Sequence, residues 1–456
     1  MVFPRNLAVA AVSFAALLSA QSASAITLTG ALTATYQNNP TLNAARAQLR
    51  VVDERVPQAL AGWRPTIAAT LQAGMVNRSS QAFTNRGFRD ASASLQLTQP
   101  LFRGFRTVNS TQQAEAVVRA QREDLRVTEQ TVLLQASTSY MDVIRDTALV
   151  SLRRSDLKFQ EEQVRAAKDR FNVGEGTRTD VSQAEAGRAR AQSALNSQLA
   201  ALNSSRAVFK QIIGLDPKNL SARSNVTRLL PKSANQAVTL GQEQHPSILA
   251  SLHLVDAAVY AVKTAEGSLL PSADLQATVS TSDNTLPGVG GGTTNTASVY
   301  GRVTIPIYSA GRTYSSIRQA KEDLGRTEVL VDVSRDSVRA GAISAWGRLN
   351  AAVASISAAE SEVSAAKLAL EGVIEEQRVG QRTTLDVLDS QSNLVNARVT
   401  LVTAQRDRVV AAYALLASVG SLDYENLGLT GERYDPTAHY HAVRDKWFGL
   451  RTPDGR

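Results

Sequence analysis

Six landmarks in this 456-residue chain recur in the same order at one fixed spacing of 206 positions. Pro40 in NNPTL returns as Pro246 in QHPSI, Pro65 in RPTI as Pro271 in LPSA, and Pro100 in QPLF as Pro306 in IPIY. Arg106-Thr107 returns as Arg312-Thr313, Val173-Gly174 as Val379-Gly380, and Asp180-Val181 as Asp386-Val387. Chance aligns two prolines; it does not align six ordered landmarks without an insertion. The chain therefore reads as a tandem duplication, with repeats over 26–215 and 232–420. A linker over 216–231 carries Asp216-Pro217 and Pro231, and a tail occupies 421–456.

Proline placement predicts one element order for both repeats: short helix, two strands, long helix, turn, return helix. No proline lies between Pro100 and Pro217, or between Pro306 and Pro436. An interior proline breaks a helix, so both intervals can hold very long ones. Thr107–Asn172 and Thr313–Arg378 would each extend ~100 Å at a rise of about 1.5 Å per residue. Helices of that length belong to coiled coils or helical tubes. In the second repeat, Ala345, Leu349, Ala352, Ile356, Ala359, Val363, Ala366, Leu370 and Val373 alternate in steps of four and three, a heptad seam. In the first, Val143, Val150, Leu157 and Val164 keep the large positions, while Asp146, Arg153 and Gln160 replace the alanines. The repeats are related but meet different neighbours.

Each repeat also holds two segments of period two. Ile67, Ala69, Leu71 and Ala73 alternate with Ala68, Thr70 and Gln72, and Ala91, Ala93, Leu95 and Leu97 with Ser92, Ser94, Gln96 and Thr98. Ala273, Leu275, Ala277 and Val279, then Ala297, Val299, Val303 and Ile305, do likewise. Segments of about ten residues suit tilted membrane strands, although a soluble sheet with one wet face alternates in the same way.

The N-terminus tips that balance. Arg5 precedes an apolar run of 12 residues, Leu7 to Leu18, and Ala23-Ser24-Ala25 is a small-residue cleavage signature. We therefore expect a signal peptide over 1–25, cleaved between Ala25 and Ile26. No later run reaches ~18 consecutive apolar residues, so membrane insertion is expected through strands. Leu95, Leu97, Val303 and Ile305 should face lipid, and Gln96, Arg302 and Thr304 water. Four strands cannot close a barrel around a pore, and open edges are not tolerated in lipid. Two copies would give a filled eight-stranded barrel and three a twelve-stranded one with a lumen. The loops over 77–89 and 283–296 should face the cell exterior. The glycine run from Gly288 lacks the lysine and following helix of a phosphate cradle.

Composition removes several function classes. Without cysteine there is no disulfide, thiol nucleophile or lipidated N-terminal cysteine. The four histidines, His245, His253, His439 and His441, make no metal-ligand spacing, and the last two are expected as solvated imidazoles in a polar tail. No catalytic set and no cofactor motif emerge, so an enzyme is not expected. A net charge of +8 without a basic block interleaved with aromatics argues against nucleic acid.

The two turns carry the most specific local chemistry. They read RFNVGEGTRTDV over 170–181 and QRVGQRTTLDVLD over 377–389. Gly174 and Gly380 suit the left-handed position that ends a helix. Thr177 with Asp180, and Thr383 with Asp386, have the spacing of a capping box with Asp as the acid. Asp386 and Asp389 share a helical face, so a ring of copies would concentrate carboxylates around its axis.

With these residues in view, the chain resembles the TolC-type outer-membrane efflux proteins. The resemblance rests on the duplicated order, the paired VG…TDV turns, the segment RVGQRTTLDVLDSQSNLVNAR and NNPTLNAARAQL, and it spans about 26–420. It implies an α+β membrane protein whose homotrimer forms a 12-stranded β-barrel on a 12-helix periplasmic α-barrel. It also implies end-to-end stacking of Thr41–Gly62 on Thr177–Gly214, and a periplasmic tail. The implied role is the exit duct of a tripartite efflux or type I secretion system. The implied partners are outer-membrane lipid, a periplasmic adaptor (membrane fusion protein) and an inner-membrane RND or ABC transporter. By the same resemblance, Asp386 and Asp389 are the acidic ring of the periplasmic entrance, and Arg382 latches it against Asp180 and Thr179. Val173, Gly174, Thr177, Val379, Gly380 and Thr383 form the turns an adaptor grips. Where the family can place a second latch tyrosine, this chain has Gln377. A periplasmic adaptor built on helical hairpins is the competing reading; the duplication and the alternating strands oppose it.

Overall fold

The computed structural model of the protein describes residues 26–80, 83–221, 226–285 and 292–455. Ala25 lies outside them. Ile26, the residue after the expected cleavage point, forms a parallel bridge with Leu220.

Both repeats begin with a broken helix, and the break has one cause. Helix α1 (Leu28–Asn38) stops where Asn39 turns extended and caps α2 (Pro40–Asp53); its side chain accepts from the N–H groups of Thr41 and Leu42. At the equivalent place α6 (Ala234–Gln244) stops at His245, whose Nδ1 accepts from Ser247 N–H at the start of α7 (Pro246–Glu266). Each cap is followed by proline at the first helical position, where its missing N–H costs nothing. The segment Ala234–Leu269 reaches a mean hydropathy of 1.3 over an 18-residue window, enough by composition for a membrane span. It is broken at His245, and α7 packs on two long helices instead. After α2 comes the short helix α3 (Arg55–Leu60), and single 3₁₀ turns then lead into β1 (Thr66–Ser80) and β3 (Ser272–Thr285).

The four strands form one antiparallel sheet in the order β1, β2 (Phe83–Arg103), β3, β4 (Thr293–Thr304), so the two repeats join edge to edge through β2 and β3. Its register carries the alternation across every strand. Ile67 lies opposite Leu97, Leu97 opposite Ala277, and Ala277 opposite Val299; Ala69, Leu95, Val279 and Ala297 make the next row. Thr70, Ser94, Ser280 and Thr296 make a row of the other face. The sheet therefore has one apolar and one polar surface. Ile305 falls just beyond the end of β4. The strands run 15, 21, 14 and 12 residues rather than the ten expected, and pairing continues to Arg78–Arg86 inside the segment expected as a loop. Side-chain polarity marks where a strand leaves an apolar medium, not where its backbone stops pairing. Residues 286–291, with most of the glycine run, lie outside the described residues.

The passage from sheet to helix needs unusual backbone. Gly104 and Phe105 both have positive φ, as do Ala310 and Gly311. Gly104 and Gly267 approach so closely that a Cβ on either would strike the carbonyl oxygen of the other. From these corners run α4 (Arg106–Asn172) and α8 (Arg312–Arg378), each 67 residues and ~100 Å long. Return helices α5 (Arg178–Ile213) and α9 (Thr384–Ser418) pack against them. The end of each return helix meets the start of the helix that continues its line. Asn39 Nδ2 donates to Ile212 O at 2.8 Å, and His245 is hydrogen-bonded to the Ala417 backbone. The stacking of α2 and α3 on α5 is thus matched by α7 on α9.

The largest core gathers at this waist, around Leu32, Leu133, Tyr140, Phe209, Leu415 and Leu416. The Tyr140 hydroxyl sits 2.6 Å from Ile26 O and 2.8 Å from Ser221 O, tying the N-terminal segment to α4. The tail folds back onto the same level. Tyr424 N–H donates to Glu129, Tyr440 to Glu115, and α10 (Ala438–Val443) rests on α2. His439 corrects the expectation of a solvated imidazole. Its side chain is 11% exposed, and Nδ1 lies 3.1 Å from Oδ2 of Asp53, whose side chain is fully buried. Burial raises the Asp53 carboxyl pKa, and His439 offsets part of that.

Candidate entrance site at the two helical turns

The far end of the helices is built twice from the same parts. In the first turn α4 closes on Val173 and Gly174, whose φ is +84°, and Glu175 N–H reaches back to Arg170 O at 2.8 Å. In the second, α8 closes on Val379 and Gly380, φ +81°, and Gln381 N–H reaches Glu376 O at 2.9 Å. Each return helix then starts with a complete capping box. Asp180 Oδ2 accepts from the Thr177 N–H at 3.0 Å and its hydroxyl at 2.6 Å, and Asp386 Oδ2 accepts from the same groups of Thr383 at 2.8 Å each. The hydroxyls accept from Asp180 and Asp386 N–H in return. Val173 and Val379 cap the tips, each 71% exposed.

These bonds set the electrostatics. The Thr177 hydroxyl and N–H, followed by the Thr384 hydroxyl, hold the Asp180 carboxyl below its ordinary range. Asp386 is held down by the Thr383 N–H and hydroxyl, with Arg382 adding to it. Both are ionised carboxylates at helix N-termini, where the backbone dipole favours them. Asp389 lies one turn further along α9 and is exposed.

The residues expected to form a latch fall into two groups within one chain. Thr384, which is buried, lies against Asp180 and accepts from Gln377 Nε2 at 3.3 Å, so it links the two turns. Arg382 points elsewhere: its Nε pairs with Glu376 Oε2 at 2.8 Å. Among the described residues no ion pair joins Arg382 to Asp180 of the same chain, and Thr179 is exposed. Sequence reasoning missed Glu376 and Thr384. A signal for Glu376 was present, because two acids at a helix C-terminus oppose the dipole and call for cations. Arg378 answers Glu375 at 2.8 Å, and Arg382 answers Glu376.

Above the turns the two hairpins are joined through α4. Gln391 Nε2 donates to buried Asp156 at 3.2 Å, and Phe159 packs on the cluster of Leu370, Val387 and Leu394. Gln160 faces Gly187 of α5 where a larger residue would collide with its amide.

Comparison with known proteins agrees with the duplicated fold. The model of the outer membrane efflux protein family matches the chain twice, over residues 31–215 and 238–421. The chain belongs to this family. It is 47% identical over 439 residues to the outer membrane efflux protein BepC of Brucella suis, covering 96% of this chain and 95% of that relative. The outer membrane protein TolC of Escherichia coli is 28% identical over 369 residues, 75% of this chain and 73% of TolC. A crystal structure of CusC superposes with a TM-score of 0.75 at 17% identity, over 87% of this chain and 92% of that one, a likeness of fold. The protein is thus a channel of the outer membrane with a long periplasmic portion, and its sheet and long helices form the protomer of such a duct.

Proposed function

We propose that three copies of this chain assemble into one duct that carries small toxic compounds out of the periplasm. The apolar sheet face meets outer-membrane lipid and the polar face lines the lumen. A periplasmic adaptor grips the tips around Val173, Gly174, Thr177, Val379, Gly380 and Thr383, and an inner-membrane RND or ABC transporter supplies the energy. The observation that carries this reading is the protomer itself. A four-stranded sheet with one apolar face continues into two ~100 Å helices that end in matched, capped turns. A groove of about 670 Å³ between α8 and α9, lined by residues such as Ala351, Val399, Ala404, Ala411 and Ala414, suits a neighbouring helix approaching closely. The efflux assignment of cargo follows the relative BepC, named an efflux protein.

At the entrance, Asp386 and Asp389 form the acidic ring. Arg382 is the gate: it exchanges between Glu376 of its own turn and Asp180 of a neighbouring chain, and only the second pairing crosses the pore. Gln377 supports closure through Thr384. The test is conductance in planar bilayers. Replacing Asp386 and Asp389 together with alanine should abolish block by a trivalent cation added on the periplasmic side, and Arg382→Ser should raise resting conductance. Unchanged block would reduce Asp386 to a helix cap and Asp389 to an ordinary surface carboxylate.

A further inference from the structure

The end of the tail is held in place yet presents bare apolar rings. Tyr440 and Arg444 contact Glu115 of α4, Val443 is buried, and His439 meets Asp53. Beyond that clamp the chain exposes Trp447, Phe448 and Leu450, which are 63%, 90% and 103% exposed. Their position is fixed by Arg64. Its Nη1 donates to Lys446 O at 2.8 Å, and its guanidinium stacks 4.9 Å from the Trp447 ring centre. Arg64 stands two residues before Thr66, the first residue of β1, and Trp63 O accepts from Gln99 of β2 at 2.9 Å. The tail tip therefore lies at the helical end of the sheet, where strands leave the membrane. Lys446 and Arg451 flank the tip along the chain and Arg64 contacts it, against the neighbouring acids Asp445 and Asp454.

Exposed tryptophan and phenylalanine flanked by cations are the composition of a membrane–water boundary, where the ring sits among headgroups and the cations meet lipid phosphates. We propose that Trp447-Phe448-Gly449-Leu450 is an interfacial anchor that dips into the periplasm-facing leaflet of the outer membrane beside the barrel. The occupant of this apolar tip is phospholipid: the patch adjoins the membrane-embedded sheet, and its net charge suits anionic headgroups. The anchor rests on the placement of the sheet in the outer membrane. It fixes the tail, and through Asp53 and Glu115 the helices α2 and α4, at a set depth below the bilayer.

The chain holds three tryptophans, Trp63, Trp346 and Trp447, so one can be isolated as a reporter. The full-length assembly carrying Trp63→Phe and Trp346→Phe is reconstituted into phosphatidylethanolamine–phosphatidylglycerol vesicles with bromine at shallow or deep acyl positions. Trp447 emission should be quenched severalfold more by shallow than by deep bromine, and acrylamide should quench it less than in detergent. A companion variant, with Trp447→Phe added and Leu71→Trp on the apolar sheet face, reports the sheet alone. If neither is quenched by bromine, the membrane placement itself fails and the anchor with it. If only the Leu71→Trp variant is quenched, the anchor is overturned. Free access of acrylamide to Trp447 would then place the tip in water, and protection from both quenchers would place it against a second copy of the chain.

Discussion

Helices α4 and α8 have equal length and equivalent positions in their repeats, yet one is the centre of the protomer and the other its edge. More than twice as many residues are buried on α4 as on α8. Helix α4 packs on α5, α7, α9 and α2, whereas α8 packs chiefly on α9, α7 and α6. Large apolar side chains stand exposed along α8, among them Val329, Val333, Ile343, Val353 and Leu368. The seams differ accordingly. Asp146 on α4 is 3% exposed and is satisfied by Arg145 Nε at 2.8 Å and Gln198 at 3.4 Å, while its counterpart Ala352 sits in an alanine-rich stripe. A polar seam specifies one partner by its hydrogen bonds, and an alanine seam admits any backbone of matching shape. Duplication thus produced one helix for internal cohesion and one whose apolar surface lies open at the protomer's edge, where the proposed assembly would bring another chain.

Exchanging residues between the two helices is the most forceful way to break this comparison. Arg153 of α4 is half-buried, whereas its counterpart Ala359 on α8 is 2% exposed. Ala359→Arg should cost about 3–5 kcal/mol, since a long cation is forced into space shaped for a methyl group. Arg153→Ala should cost about 1 kcal/mol or less. Thermal unfolding of the two variants and recovery of each assembly from outer membranes would check this; equal losses would mean the seams are interchangeable.

A smaller effect separates another equivalent pair. Glu129 of α4 is partly buried, and desolvation pushes its pKa up to about 7, while its counterpart Arg335 on α8 is exposed beside Asp332. An acid whose folded pKa lies above its unfolded value near 4.5 is neutral and harmless at low pH. Its ionisation then erodes stability as pH rises from about 4.5 to about 7, after which the loss is complete. Glu129→Gln keeps an acceptor for Tyr424 N–H and should raise stability by about 1–3 kcal/mol at pH 8, with no gain near pH 4. Melting temperature against pH for both proteins would expose a flat difference if burial were not the cause.

The smallest effect sharpens the contrast between the turns. Glu376 has no acidic counterpart in the first turn, where Arg170 occupies the aligned position. If Glu376 competes with Asp180 for Arg382, Glu376→Gln should lower resting conductance about twofold, opposite in sign to Asp180→Ala. The pair is exposed, so molar salt should erase the difference. A rise in conductance would mean that Glu376 holds the gate shut rather than open.

How much of this was legible in the sequence follows from range. The capping boxes and the sheet alternation were readable because each depends on residues a few positions apart, and the repeat and the proline deserts because residue identity along the chain records them without any knowledge of contacts. Strand length was underestimated because polar side chains do not end backbone pairing. The clamp of His439 on Asp53 was invisible because its partners lie 386 residues apart and the tail is polar in composition. Thr384 was passed over because it follows the cap residue and showed no pattern; its role appears only when the first turn folds beside the second. Arg382 stood out as the residue to latch Asp180 and Thr179, but its partner within the chain is Glu376, six residues back, a reach that no spacing rule flags.

The central claim is that the edge helix α8 is completed by further copies of the same chain, with three sheets closing one barrel. Native mass spectrometry of the detergent-extracted outer-membrane fraction tests this most directly. The account predicts a single dominant species of three chains, each beginning at Ile26, that persists unboiled on a denaturing gel. A monomer recovered from the soluble periplasm, or an assembly of any other number, would contradict it.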